Sequence, residues 1–241
     1  MLAALAATSL AGCGPGSEGS RTSATDDGTG TAPRAKAKSV APSGPEPATP
    51  PAETSYAPWP MALHDPRHSA SSPVGGPTKG RIAWRRRLEG PVVPGPVVGK
   101  GGVAYAASNG GVLHALRVSD GKELWRFDGG GSYGSDLSSS PAVLADGTIL
   151  WPGPGGLFAL SRAGRLLWKL RFDSMVLSPL PAPGGRVYVQ EMGGRLHALG
   201  LRGRARPRTL WSRDIGSTSY GSPALGGGKR CTPPWTTSWC R

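Results

Sequence analysis

The residues able to do chemistry in this 241-residue sequence are few and scattered. His64 and His68 lie four apart, a spacing that presents two metal ligands on one face of a helix. Asp65-Pro66 stands between them and rules a helix out, so the pair is read as a loop. His114 and His197 occupy equivalent places in two copies of a repeated phrase whose third copy carries Phe158, which marks the position as one of packing. From Trp59 onward there are ten Asp or Glu, and Asp120, Asp128 and Asp146 sit where turns ordinarily place them. No Ser/His/Asp or Cys/His pattern supports a nucleophile. The sequence therefore assigns no catalytic residue, no metal ligand and no cofactor, and the protein is read as a non-enzyme.

One cysteine is different. Leu2 to Ala11 is an apolar run too short to cross a bilayer and of the right length for a signal-peptide core. It ends in Leu10-Ala11-Gly12-Cys13, which resembles a bacterial lipoprotein signal. That resemblance implies cleavage after residue 12, diacylation of Cys13 and an extracytoplasmic protein held to the cell membrane by lipid. Two acyl chains suffice for stable anchoring. The leader lacks the basic residues that normally precede the apolar core, so a start codon upstream is expected. Residues 13–58 are rich in Pro, Ser, Thr, Ala and Gly, with little to bury, and read as a disordered spacer.

Such a chemistry-poor sequence must be explained by its scaffold, and the scaffold repeats. Trp84, Trp125, Trp168 and Trp211 recur every 41 to 43 residues, with Leu113-His-Ala-Leu116, Leu157-Phe-Ala-Leu160 and Leu196-His-Ala-Leu199 between them. A period in the low forties marks a β-propeller, one four-stranded blade per repeat. Each unit opens with a Pro-led strand, as in Gly95-Pro-Val-Val98 and Ser140-Pro-Ala-Val143. A second strand such as Gly185-Arg-Val-Tyr-Val-Gln190 follows, then Leu-x-Ala-Leu, then a strand ending near the Trp. Asn109-Gly110 and Asp146-Gly147 are hairpin turns. Ile82-Ala-Trp84-Arg is read as the first strand-like stretch. No apolar stripe of helical period is present. The fold class is all-β, a partial propeller of four-stranded antiparallel blades over residues 59–228: about three blades plus one strand.

The segment Ala115-Leu-Arg-Val-Ser-Asp-Gly121-Lys-Glu-Leu-Trp125 resembles the tryptophan-docking motif of quinoprotein-type propellers, the PQQ-binding-like family. That motif runs Ala, then Asp or Asn two residues on, then Thr-Gly-Lys/Arg, then Trp after two more. Here Arg117 holds the acidic position and Asp120 stands for Thr; the next unit is one residue shorter and the third longer and Arg-rich. The resemblance implies that Trp84, Trp125, Trp168 and Trp211 pack between blades, with Ala115 and Gly121 as structural partners. Quinoprotein dehydrogenases of this family hold their quinone with calcium ligands and often carry adjacent cysteines, of which this sequence has none.

The implied function is a membrane-anchored scaffold that binds another protein or a cell-envelope component. The alternative is a fragment of a quinoprotein dehydrogenase, or of another propeller enzyme, whose active-site blades are missing. The net charge of +13 lies wholly in the repeat region, because four cations meet five acids up to Ala57. Arg raised together with Gly, Ala and Pro also fits a GC-rich coding sequence. No recognition-helix pattern, zinc spacing or stacked aromatics points to nucleic acid, so no nucleic-acid partner is assigned.

The last thirteen residues, 229–241, lack the blade pattern although a second strand is due there. Shifted back by one base, their codons permit a phrase of the form Val-Tyr-Thr-Thr-Leu-Asp-x-Glu-Leu-Val, parallel to Val103–Leu113. A frameshift near Gly228 is one reading; a divergent tail closed by a Cys231–Cys240 disulfide is the other. Resequencing the locus past codon 220 separates them: the first predicts that a one-base correction restores further Trp-ended repeats, the second an unaltered frame.

Overall fold

A computed structural model describes residues 58–72, 79–132, 139–216, 221–226 and 230–232. Within them fourteen strands form three four-stranded antiparallel sheets and one two-stranded sheet. The first blade is β1 (Val97–Gly99), β2 (Val103–Ala107), β3 (Val112–Arg117) and β4 (Glu123–Asp128). The second is β5 (Ala142–Val143), β6 (Ile149–Gly153), β7 (Gly156–Leu160) and β8 (Leu166–Leu170). The third is β9 (Leu180–Ala182), β10 (Arg186–Gln190), β11 (Arg195–Gly200) and β12 (Arg208–Asp214). In every blade the strands are hydrogen-bonded in chain order, as short turns between successive strands require.

The burial of the strands explains the stacking. β2, β6 and β7 are buried at every residue, on both alternating faces. A blade is thus a layer covered from both sides, unlike a sheet with one wet face. Tyr105, Trp125 and Phe127 of the first blade share a core with Trp151 and Phe158 of the second. Leu150, Leu157 and Trp168 of the second share another with Val187, Val189 and Leu199 of the third. Ala104, Ala106, Ala115, Ala142, Ala159 and Ala198 are almost wholly buried, and their small side chains let neighbouring layers approach. Strand four turns outward: in β4, Trp125 and Phe127 are buried while Arg126 and Asp128 are exposed.

One irregularity recurs at the same place in all three blades. The register slips after Ala115, after Ala159 and after Ala198, the alanine of each Leu-x-Ala-Leu phrase. The alanines face Trp125, Trp168 and Trp211, and the following leucines face Glu123, Leu166 and Thr209. Leu124, Leu167 and Leu210 are therefore the extra residues of a β-bulge. Such a bulge bends strand four and increases its twist just before the tryptophan.

One sequence expectation is corrected. Residues 82–85 form no strand among the described residues, because no neighbouring strand pairs with them. In the tail, where the sequence has a second strand due, a short strand is present. β14 (Arg230–Thr232) pairs antiparallel with β13 (Ala224–Gly226), Cys231 opposite Leu225. A backbone ladder places few demands on residue type at an edge, so the missing blade pattern did not prevent pairing. Cys13, the spacer before Pro58, and Cys240 lie outside the described residues.

Candidate functional site

The tryptophans build the contacts between blades. The Trp84 indole N–H donates to the Val118 carbonyl at 2.7 Å, and that of Trp125 to the Arg162 carbonyl at 2.8 Å. Both acceptors lie in the turn between the third and fourth strands of the following blade. Beneath each ring lies a glycine with positive φ, Gly121 at 71° and Gly164 at 77°. A Cβ on Gly121 would come within 2.6 Å of Trp84, and one on Gly164 within 2.7 Å of Trp125. No real Cβ tolerates such a distance, so glycine there serves both the left-handed turn and the flat ring above it. Trp168 is buried in the same sense but in apolar surroundings; Gly203, in the longer third turn, has nothing within 4 Å of its Cβ position. Trp211 is only half-buried, with its ring 5.9 Å from Tyr188. Among the described residues no turn of a following blade covers it.

The equivalent positions His114, Phe158 and His197 make three different cross-strand contacts. His114 Nδ1 lies 3.0 Å from Glu123, Lys169 Nζ sits 4.2 Å over the Phe158 ring, and His197 Nδ1 is 2.8 Å from the Ser212 hydroxyl. His197 Nε2 also meets Glu191 at 2.7 Å. Because an ionised carboxylate only accepts, Nε2 carries the proton, and Nδ1 of a neutral ring accepts from Ser212. Glu191 further accepts the Ser174 amide at 2.7 Å. Burial pushes the Glu191 carboxyl up, but hydrogen bonds from His197 and Ser174 outweigh it and hold its pKa below the ordinary 4.5. The network ties the turn around Ser174 to β11 and β12. Sequence reasoning missed Glu191, Ser174 and Ser212, which are far apart in the chain and carry no motif.

The segment from Pro58 to Ala70 has a role that its composition hid. It is a loop, as the sequence implies, but it crosses the innermost strands of successive blades. Trp59 exchanges two backbone hydrogen bonds with Val98 in β1, both 2.8 Å. The Pro60 carbonyl accepts from Val143 of β5, and the Pro66 carbonyl from Leu225 of β13, each at 2.7 Å. Met61 is buried against Ala142, Leu180, Tyr188 and Leu225. The path is tightly bent: Leu63, His64, His68 and Ala70 all have positive φ, between 50° and 79°. Asp65 caps the bend, accepting from the Arg67 amide at 2.8 Å and from the Ser69 hydroxyl. The Ser69 bond leads the causes that hold its carboxyl below 3.8. Burial pushes the His68 imidazole below its ordinary value.

Between this segment and the first two blades lies a cavity of about 580 Å³. Met61, His64, Lys100, Tyr105, Asp146 and Arg162 are among its lining residues. Burial raises the Tyr105 hydroxyl to about 12 despite the opposing charge of Arg162. No group of three or more His, Cys, Asp or Glu among the described residues is placed to hold a metal ion. His64 packs edge-on to Trp59, ring centroids 4.9 Å apart.

Stacked four-stranded antiparallel layers, bulged at one place and joined by recurrent tryptophans, define a β-propeller repeat protein of the PQQ-like class. Residues 75–137 and 130–229 match the family model described as outer membrane protein assembly factor BamB, and the chain belongs to that family. The outer membrane protein assembly factor BamB of Yersinia pestis is 29% identical over 154 residues, 58% of this chain and 38% of the relative. That of Burkholderia pseudomallei is 31% identical over 120 residues, 49% of this chain and 30% of the relative. The chain thus spans well under half the length of these curated relatives. Among solved structures, the quinohemoprotein alcohol dehydrogenase of Comamonas testosteroni superposes with a TM-score of 0.50 at 18% identity, over 65% of this chain and 27% of that one. At that identity it shares the fold alone.

Two outcomes follow from this geometry. Gly121→Ala is expected to cost about 2–4 kcal/mol, combining left-handed strain with overpacking against Trp84. Gly203→Ala, strained but in open space, is expected to cost about 1–2 kcal/mol; urea denaturation of the two variants measures the difference. Glu191 has a depressed folded pKa, so its stabilisation is complete above the ordinary value near 4.5 and is lost as pH falls through the folded value. Stability measured against pH should fall in that window, and Glu191→Gln should remove that part of the slope.

Proposed function

We propose that this chain belongs to an extracytoplasmic scaffold, anchored by lipid at Cys13, that holds envelope proteins during their assembly. One observation carries the reading: the assembly-factor family matches continuously across all three blades. The geometry is compatible with it. The middle strands are consumed by stacking, so partners have access to turns and outer strands. β12 is the outermost strand of its sheet and exposes six of its seven residues, with Leu210 46% exposed. An exposed strand edge is a ready template for a partner strand. The absence of assigned catalytic chemistry in the sequence agrees with the assembly-factor name of the relatives. Trp84, Trp125, Trp168 and Trp211, with Ala115 and Gly121, are assigned structural docking rather than ligand binding.

The test combines anchor and partner. Cys13→Ser should abolish acyl labelling and move the chain from the detergent to the aqueous phase by more than about tenfold, since two acyl chains anchor stably and none does not. A photo-cross-linker at position 210 should capture a discrete envelope protein in cells, and deletion of the gene should lower that protein's level in the envelope. Unchanged partitioning of Cys13→Ser would refute the anchor. An unaltered envelope proteome, together with no adduct, would refute the scaffold.

A further inference from the structure

Strand direction divides the turns of the three blades between two faces. One face carries the turns joining first to second strands and third to fourth strands; the other carries the remaining turns. Contacts between blades show that the turns of the first face are neighbours. Arg162 of the second blade donates to the Lys100 carbonyl of the first at 2.7 Å, and Arg204 of the third to the Asp146 carbonyl of the second at 3.4 Å.

Charge is segregated between these faces. The turns of the first face hold Lys100, Lys122, Arg162, Arg165, Arg202, Arg204 and Arg206, all exposed. The acids there are Asp120 and Asp146, and Asp120 is paired with Arg117 at 3.1 Å. None of the seven cations has a carboxylate partner among the described residues. On the other face cations and acids are balanced: the described turns hold Arg171, Asp173 and Glu191, and the strand ends there carry Arg126 with Asp128 and Arg213 with Asp214. Arg195 on that side is paired with Asp173 at 3.1 Å. An Arg-rich coding composition would scatter cations over the surface. It does not explain an excess of cations over acids at the same end of every blade.

The chain also enters at this face. Trp59 runs antiparallel to β1, so Pro58 lies beside the Gly99–Lys100 end of that strand. The first described residue, Pro58, is therefore on the basic side, and Cys13 precedes it in the sequence.

We propose that this basic face binds the surface of an anionic phospholipid membrane, so that the propeller lies turn-face down on the bilayer to which its N-terminus leads. Cations near an anionic surface add roughly equal increments of binding energy, and the attraction is screened within a Debye length. The recognition is by charge density, which suits turns of unequal length presenting cations without a formed pocket. The orientation on the bilayer rests on the Cys13 anchor proposed above, whereas the charge attraction does not and concerns a different surface from β12; vesicle binding by lipid-free protein tests the attraction by itself.

Full-length Cys13→Ser protein, free of lipid, is sedimented with vesicles of phosphatidylcholine alone or with about 30% phosphatidylglycerol. Binding is expected only to the anionic vesicles at about 0.05 M salt and should vanish near 0.5 M. Each cation removed should weaken binding about fivefold, so Arg202→Gln with Arg204→Gln and Arg206→Gln should weaken it about a hundredfold. Lys100→Gln with Lys122→Gln and Arg165→Gln, drawn from other turns, should do the same without depending on the folding of one loop. Arg171→Gln with Arg195→Gln, on the opposite face, should leave binding unchanged. Equal binding to neutral vesicles, or equal loss from both faces, would overturn the proposal. So would retention on polyglutamate without vesicle binding, which would assign the face to an acidic protein.

Discussion

A single four-stranded blade cannot satisfy its own surface. Its middle strands carry apolar side chains on both alternating faces, and a layer about one strand thick has no interior of its own. Each blade must therefore be covered by the next, and everything else in this chain follows from how that cover is made. A tryptophan from outside each of the first two blades is set onto a glycine turn, where the indole N–H finds a backbone carbonyl: Trp84, from the segment before the first blade, on Val118, and Trp125, from the outer strand of the first blade, on Arg162. A flat ring needs a flat seat, which is why Gly121 and Gly164 have no room for a Cβ. In the three blades a bulged leucine precedes Trp125, Trp168 and Trp211 and adds local twist to strand four. Where the third turn lengthens and Gly203 no longer sits under a ring, apolar packing around Trp168 takes over.

The segment from Trp59 to Ala70 solves a second problem of the same architecture. The innermost strands of a propeller present edges toward its centre, and an exposed edge leaves backbone donors and acceptors unpaired. Here Trp59, Pro60 and Pro66 pair with residues of β1, β5 and β13, and Met61 fills the apolar space between. The left-handed residues Leu63, His64, His68 and Ala70 are the conformational cost of bending one short segment across several strands. It also couples the point of chain entry to the stacking of the blades.

Much of this was legible in the residues. The Trp period gave the number and length of the blades, Asn109-Gly110 and Asp146-Gly147 gave turns, and the Pro-led phrases gave first strands to within two residues. These signals are local, and local chemistry sets turns and alternation. What escaped were features made by distant parts of the chain. The bulge was hidden because Leu124, Leu167 and Leu210 look like ordinary strand residues, although a Leu-Trp pair before three slipped registers was there to be seen. The Glu191–His197–Ser212 network joins separate strands and carries no spacing rule. The His64–His68 loop was recognisable as a loop, but nothing in its sequence says that it crosses the inner strands. Charge segregation was invisible until strand direction told which turns share a face.

The central claim is that three blades and the crossing segment form one cooperative stack. Hydrogen exchange on the full chain tests it most directly through the Val98, Val143 and Leu225 amides, whose acceptors are Trp59, Pro60 and Pro66. A single cooperative unit predicts that they exchange with the same opening free energy as amides inside the sheets, such as those of Tyr105, Trp151 and Val189. Exchange at loop-like rates while the sheet amides stay protected would contradict it, leaving the blades stacked without the segment that crosses them.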